Sequence, residues 1–148
     1  MDPGSQEIYR AFVFAKNADH ITISGRGTIN GNGQSPAFQL GDDSGPNGNV
    51  GRRMLMMMTG CRNVNIRDIR LENSTYGMQK YTACENLHIK GITVYNHVNF
   101  NNDGIDIDSK NVVIKDCIID SDDDAICMKS DQVGRLCENV VMVLRHIW

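Results

Sequence analysis

A chain of 148 residues with 41% hydrophobic and 22% charged side chains is long enough for one domain with its own core and too short to need two. Its formal net charge of −3 argues against a nucleic-acid partner, which ordinarily requires a basic stripe, and no apolar run approaches the roughly 18 residues of a membrane span. An acidic polymer held in a locally basic cleft stays open.

The N-terminal stretch Met1–Glu7 has neither the basic nor the apolar region of a secretory signal. The first patterned segment is Ala11-Phe12-Val13-Phe14, a short apolar strand, and from there the sequence repeats. Four copies align on an asparagine: Asn63-Val64-Asn65-Ile66, Asn86-Leu87-His88-Ile89, Asn111-Val112-Val113-Ile114 and Asn139-Val140-Val141-Met142, at spacings of 23, 25 and 28 residues. A weaker copy is His20-Ile21-Thr22-Ile23. A small residue stands two places earlier in each (Ala18, Cys61, Cys84, Ser109, Cys137), and in the first three strong copies a turn former stands five places later (Asp68, Gly91, Asp116). Second short strands follow at Ile69–Leu71, Ile92–Val94 and Cys117–Ile119, and a third closes the unit, clearest at Gly104–Ser109 and Ala125–Ser130.

A repeat of this length with three alternating strands and no helical period predicts an all-β parallel β-helix, one rung per repeat and one domain over residues 1–148. The leucine frame of leucine-rich repeats, the competing solenoid, is absent. Stacking would turn the asparagines into a ladder of amides and the small residues into an inward column. Residues 34–51 interrupt the pattern with a polar insertion, read as a solvated loop, for whose Asp42 and Asp43 calcium binding is the sharper alternative. At the other end Val143–Trp148 departs from the repeat. The five cysteines form no C-x-x-C pair, so packing rather than zinc is expected of them, as it is of Met54, Met56, Met57 and Met58.

The chemistry is expected at Asn101–Ser109 and Asp122–Ser130, which align without gaps at an offset of 21. That offset sets Asp103 over Asp124, with Asp123 beside them. Clustered carboxylates serve acid/base hydrolysis, cation binding or turn capping, and crowding raises one partner's pKa so that one group holds a proton while another activates water. Asp106 and Asp108 are expected to face outward, Asp108 forming an ion pair with Lys129 across the rungs; Lys129 gripping a substrate carboxylate is the alternative. Asp122 is read as a turn cap or a source of repulsion. His97, in the loop leading to Asp103, is read as a solvated loop histidine, with contact to the cleft as the alternative; Asn101, in the same loop, is a candidate cleft contact. Arg52 and Arg53 are read as an exposed pair or as contacts to a polyanion, and Tyr76 and Tyr81 as residues able to stack on sugar rings.

The run Asn101-Asn102-Asp103-Gly104-Ile105-Asp106 resembles the N-T/N-D-G-hydrophobic-D motif of glycoside hydrolase family 28, the polygalacturonase family, and Asp123-Asp124-Ala125-Ile126 resembles its D-D-[CA]-[IV] motif. The likeness extends from Ile23-Ser24-Gly25-Arg26-Gly27-Thr28-Ile29-Asn30-Gly31 to Lys129-Ser130. It implies a right-handed parallel β-helix, hydrolysis of galacturonosyl bonds of a pectic polysaccharide with inversion, no cofactor or metal, and a secreted or periplasmic location. Asp123 would match the general acid and Asp103 and Asp124 the pair holding the water; Lys129, His97 and Asn101 stand beside them as candidate substrate contacts on the residue reading alone. Residues one rung apart are closer than the roughly 6.5–9.5 Å of inverting pairs, so inversion rests on the resemblance alone.

The family's S-x-G-H-G and R-I-K runs are missing, and His146 lacks the flanking glycines. The chain thus reads as the middle of such an enzyme, cut before its site is complete, with little or no hydrolysis expected. A pectate-lyase-like, calcium-dependent β-helix is one alternative, with Arg135 the nearest candidate base but past the rung. A non-catalytic, structural or sugar-binding β-helix is the other.

Overall fold

The computed structural model describes residues 11–38, 52–129, 137–144 and 146–147. Asp42, Asp43, Ser130, Arg135 and the side chain of His146 lie outside the described residues, and with them most of the polar insertion. What is described is a coil of strands, with a single 3-10 turn at Pro36–Phe38.

Three columns of strands stack in parallel. The first holds β1 (Ala11–Lys16), β4 (Met54–Thr59), the first halves of β7 (Gln79–Lys90) and β9 (Ile105–Lys115), and β11 (Ile126–Met128). The second holds β2 (Asp19–Ser24), β5 (Arg62–Arg67), the second halves of β7 and β9, and β12 (Glu138–Val143). The third, a separate sheet, holds β3 (Thr28–Asn30), β6 (Arg70–Glu72), β8 (Thr93–Asn96), β10 (Ile118–Ser121) and β13 (His146–Ile147). This is the parallel β-helix that the repeat predicts. In β7 and β9 the closing strand of one rung runs directly into the asparagine strand of the next, with a register shift between Thr82 and Glu85. Ser109 spans that irregularity, its hydroxyl donating to Tyr81 O at 3.0 Å and accepting from Cys84 N–H at 3.1 Å.

Alternation sends every second residue inward, and parallel register stacks like on like: Val64, Leu87 and Val112 form one fully buried column and Ile66, Ile89 and Ile114 another. Each such side chain contributes roughly 1.5–3 kcal/mol on leaving water. All four methionines of β4 are buried, as are Cys61, Cys84 and Cys117. Tyr81 is buried too, its hydroxyl donating to Gln79 Oε1 at 2.8 Å and its pKa driven far up by burial. It therefore has no face to offer a sugar, contrary to the sequence reading.

The asparagines bond as a ladder: Asn86 donates to Asn63 at 3.1 Å, Asn111 to Asn86 at 3.2 Å and Asn139 to Asn111 at 2.9 Å, while Asn63 donates to Asp19 at 2.7 Å. All four hold φ between 52° and 58°, a left-handed conformation that asparagine tolerates because its amide bonds locally. Asp68, Gly91 and Asp116 turn the chain with φ of 58°, 65° and 56°. The altered tail still follows the coil, for His146 and Ile147 pair in register with Ile118 and Ile119.

Candidate active site

Each rung returns from the third column to the first through a connection without strand: residues 73–78, 97–104 and 122–125 in successive rungs. The last two stack. Gly104 N–H donates to Asp124 O at 2.8 Å and Ile105 N–H to Ala125 O at 3.0 Å, after which Ile105, Asp106 and Ile107 pair with Ile126, Cys127 and Met128. Contact is so close that a Cβ on Gly104 would lie 2.5 Å from Ala125 O, which explains the glycine of the N-N-D-G run. Asp103 thus stands beside Asp124 in the register read from the sequence. Asp103 is buried, whereas Asp123 and Asp124 are exposed, and Asp123 Oδ1 accepts the Asp124 N–H at 2.9 Å.

Lys129 enters this cluster and not the expected pair. Its backbone N–H donates to Ile107 O at 2.8 Å, which keeps it level with Asp108, but its side chain reaches back along the strand. Nζ donates to Asp103 Oδ2 at 2.5 Å and lies 3.0 Å from Asp106 Oδ1. Ile105 and Ile107 lie in the core, so alternation turns Asp106 and Asp108 the other way, yet both are buried, with 5% and 3% of their surface exposed. Burial first, then a hydrogen bond with Asp103, push the Asp106 carboxyl up to about 6, with Lys129 opposing. Burial works against the Lys129 charge, but its bonds to the two carboxylates outweigh that and raise its pKa.

Cys127, expected to pack, stands opposite Asp106 in the register and is half-buried; burial first, then the neighbouring Asp124 carboxylate, raise its pKa. It is therefore a poor nucleophile.

The loop that carries Asp103 is anchored on both sides. Asn102 Nδ2 donates to Asn96 O at 2.6 Å, and Asn96 Nδ2 donates to Asn102 O at 3.0 Å and to Tyr76 O at 3.1 Å. Asn99 Nδ2 donates to Gly33 O at 3.1 Å. Arg52 is buried, donates to Phe100 O at 2.7 Å, and lies over the rings of Phe100 and Tyr76 at 3.8 and 5.1 Å from their centroids. It is thus a brace for residues 97–104 and not one of an exposed pair; Arg53 alone is exposed. Asn101 is half-buried in the turn before Asp103 with φ of 50°. His97 is held between Asp122, at Nδ1, and Asp120, at Nε2 and 2.6 Å. Burial lowers its proton affinity, but the two carboxylates outweigh this and the net shift is upward. The geometry so assigns Asp122 a histidine partner and sets His97 one residue from Asp123, not on the Asp103 cluster.

Sequence reasoning passed over Asp106, Cys127 and Arg52 as parts of this edge. The offset of 21 did contain a signal for two of them, since it places Asp106 opposite Cys127. For Arg52 the sequence held none.

Compared with known proteins, the profile described as glycosyl hydrolases family 28 matches residues 3–143. Polygalacturonase QRT2 of Arabidopsis thaliana is 24% identical over 140 residues, covering 87% of this chain and 30% of that protein. Among solved structures, a putative glycosyl hydrolase from Parabacteroides merdae ATCC 43184 superposes with a TM-score of 0.71 at 21% identity, covering 93% of this chain and 61% of its own. A hyperthermoactive exopolygalacturonase from Thermotoga maritima superposes with a TM-score of 0.58 at 26% identity, over 64% of this chain and 23% of its own. The chain thus spans 30% of the length of the plant relative.

Proposed function

Because the chain belongs to glycosyl hydrolases family 28, we propose that its return edge acts on galacturonosyl bonds of a pectic polysaccharide by acid/base hydrolysis with inversion. Asp123 is the general acid, exposed at the edge where a glycosidic oxygen can reach it, and Asp103 and Asp124 hold the attacking water. The observation that carries this reading is the register: Asp103 beside Asp124, with Asp106 and Lys129 behind them. Lys129 offsets the charge that would otherwise crowd Asp103 and Asp106, and burial pushes the Asp106 carboxyl up to about 6 beside the pair. Lys129 is occupied by these two carboxylates, so its part is to set their charge; His97 and Asn101 shape the approach to the edge.

The S-x-G-H-G and R-I-K runs, which give the family a histidine near the acid and cations for the substrate carboxylate, do not occur in the 148 residues. Turnover by these residues is therefore expected to be slow. The pectin-degrading role and an extracellular location follow from the family and belong to this proposal.

The test is reducing-end release from polygalacturonate with a calcium chelator present, at high protein concentration, comparing the chain with its Asp124→Asn variant. Slow release that disappears in the variant is expected. In a parallel reaction with calcium and no chelator, an unsaturated product absorbing in the near ultraviolet would transfer the chain to lyase chemistry. Binding without any release would leave a sugar-binding β-helix.

A further inference from the structure

Arg52 and Arg53 are neighbours with opposite fates. Arg52 is buried under the Asp103 loop, whereas Arg53 is exposed and its guanidinium makes no hydrogen bond or ion pair among the described residues. The backbone of Arg53 is nevertheless fixed: its N–H donates to Thr75 Oγ1 at 2.6 Å, and that hydroxyl donates to Arg53 O at 2.7 Å. Beside it lies a hollow of about 480 Å³ lined by Phe12, Phe38, Asn30, Gly31, Leu55 and Thr75 among others. Its floor is backbone packed on backbone, since a Cβ on Gly31 would lie 2.8 Å from Asn73 O. Phe12 is 73% exposed on the rim, a large apolar ring left in water.

A pocket with aromatic walls and one convergent charge is the usual form of a small-ligand site. Here the walls suit the apolar face of a sugar ring, and an unpaired guanidinium suits a carboxylate, which it binds bidentately. The hollow opens on the same return edge as the aspartates, with the 73–78 connection between it and the 97–104 connection. Two rung steps of about 4.8 Å each separate its floor from Asp103, a short reach for an extended polysaccharide. Lys129 is occupied by Asp103 and Asp106, and Arg52 by Phe100.

We propose that Arg53, Phe12 and Phe38 form a binding site for one uronate residue of the polymer, with its carboxylate on the Arg53 guanidinium and its ring against the phenylalanines. The choice of uronate rests on the reading under Proposed function; the pocket and its charge do not.

Calorimetric titration with trigalacturonate and with its neutral methyl ester tests this on wild type, Arg53→Gln and Phe38→Ala, run beside the reducing-end assay. Wild type should bind the acid roughly tenfold more tightly than the ester. Arg53→Gln should erase that preference and leave ester binding unchanged, and Phe38→Ala should weaken both ligands equally. A preference that survives Arg53→Gln, or a wild type that binds neither ligand or both alike, overturns the site. Release from polygalacturonate in that case would leave the hydrolase reading standing. Binding that depends on Arg53 without any release would keep the site and remove the hydrolase reading.

Discussion

The two turns that join the first and second columns, and the third column and the first, obey different rules. At the asparagine turn everything repeats. Asp19, Arg62, Glu85, Lys110 and Glu138 stand side by side in register with alternating sign, and the asparagine next to each of the last four bonds the rung before it. At the return edge the backbones of the last two rungs stack, but the side chains they carry differ. Asn96 Oδ1, Asn102 Oδ1 and Gln79 Nε2 are buried with no hydrogen-bond partner among the described residues, and carboxylates crowd where like charges cost energy. A solenoid builds stability where it repeats itself; where it carries unsatisfied polar groups and crowded charge, a function is the usual reason.

Changing the return edge should abolish chemistry and spare the fold. Asp103→Asn is expected to lower release from polygalacturonate by about a hundredfold or more while the melting temperature changes little, since relieved repulsion with Asp106 offsets the charge lost opposite Lys129. Arg52→Met keeps the stem but loses the bond to Phe100 O and the ring contacts, about 1–2 kcal/mol that hold the Asp103 loop. Amide hydrogen exchange at residues 97–102 should accelerate, and turnover should fall roughly tenfold as Asp103 loses its position.

The asparagine turn should behave in the opposite sense. Asn111→Ala breaks two ladder bonds and forces alanine to a φ of 54°, for about 2 kcal/mol and a melting temperature lower by roughly 5 °C, with release unchanged. Asn111→Gly, free of the backbone cost, should lose less.

The smallest effect belongs to His97→Gln. The raised pKa of His97 stabilises the fold fully below its ordinary value of 6.5 and ceases to do so as pH rises through the higher folded value. Thermal melts of wild type should therefore lose up to about 1 kcal/mol across that upper window, and the variant should not. The separate decline between about 4 and 6 that the raised Asp106 pKa imposes should persist in both.

The parts of the structure that follow from backbone register were legible in the sequence. An asparagine every 23 to 28 residues became the observed ladder, and the gapless offset of 21 became the pairing of Ile105 with Ile126. Side chains that leave their register position were not legible. Lys129 is level with Asp108 but long enough to reach Asp103 and Asp106, so alignment named its neighbour and missed its partner. Period-two alternation correctly turned Asp106 and Asp108 away from the core but said nothing of what covers them. Arg52 braces a loop 48 residues away, a contact that no local pattern encodes.

The most direct test of the central claim, that the stacked aspartates activate water on one face of a glycosidic bond, is the anomeric configuration of the new reducing end. Proton spectra recorded during digestion of polygalacturonate, before mutarotation, should show the anomer opposite to that of the bond cleaved, and no product with Asp124→Asn. A retained anomer, or release that persists in the variant, would contradict the assignment of Asp103 and Asp124 as the residues that hold the water.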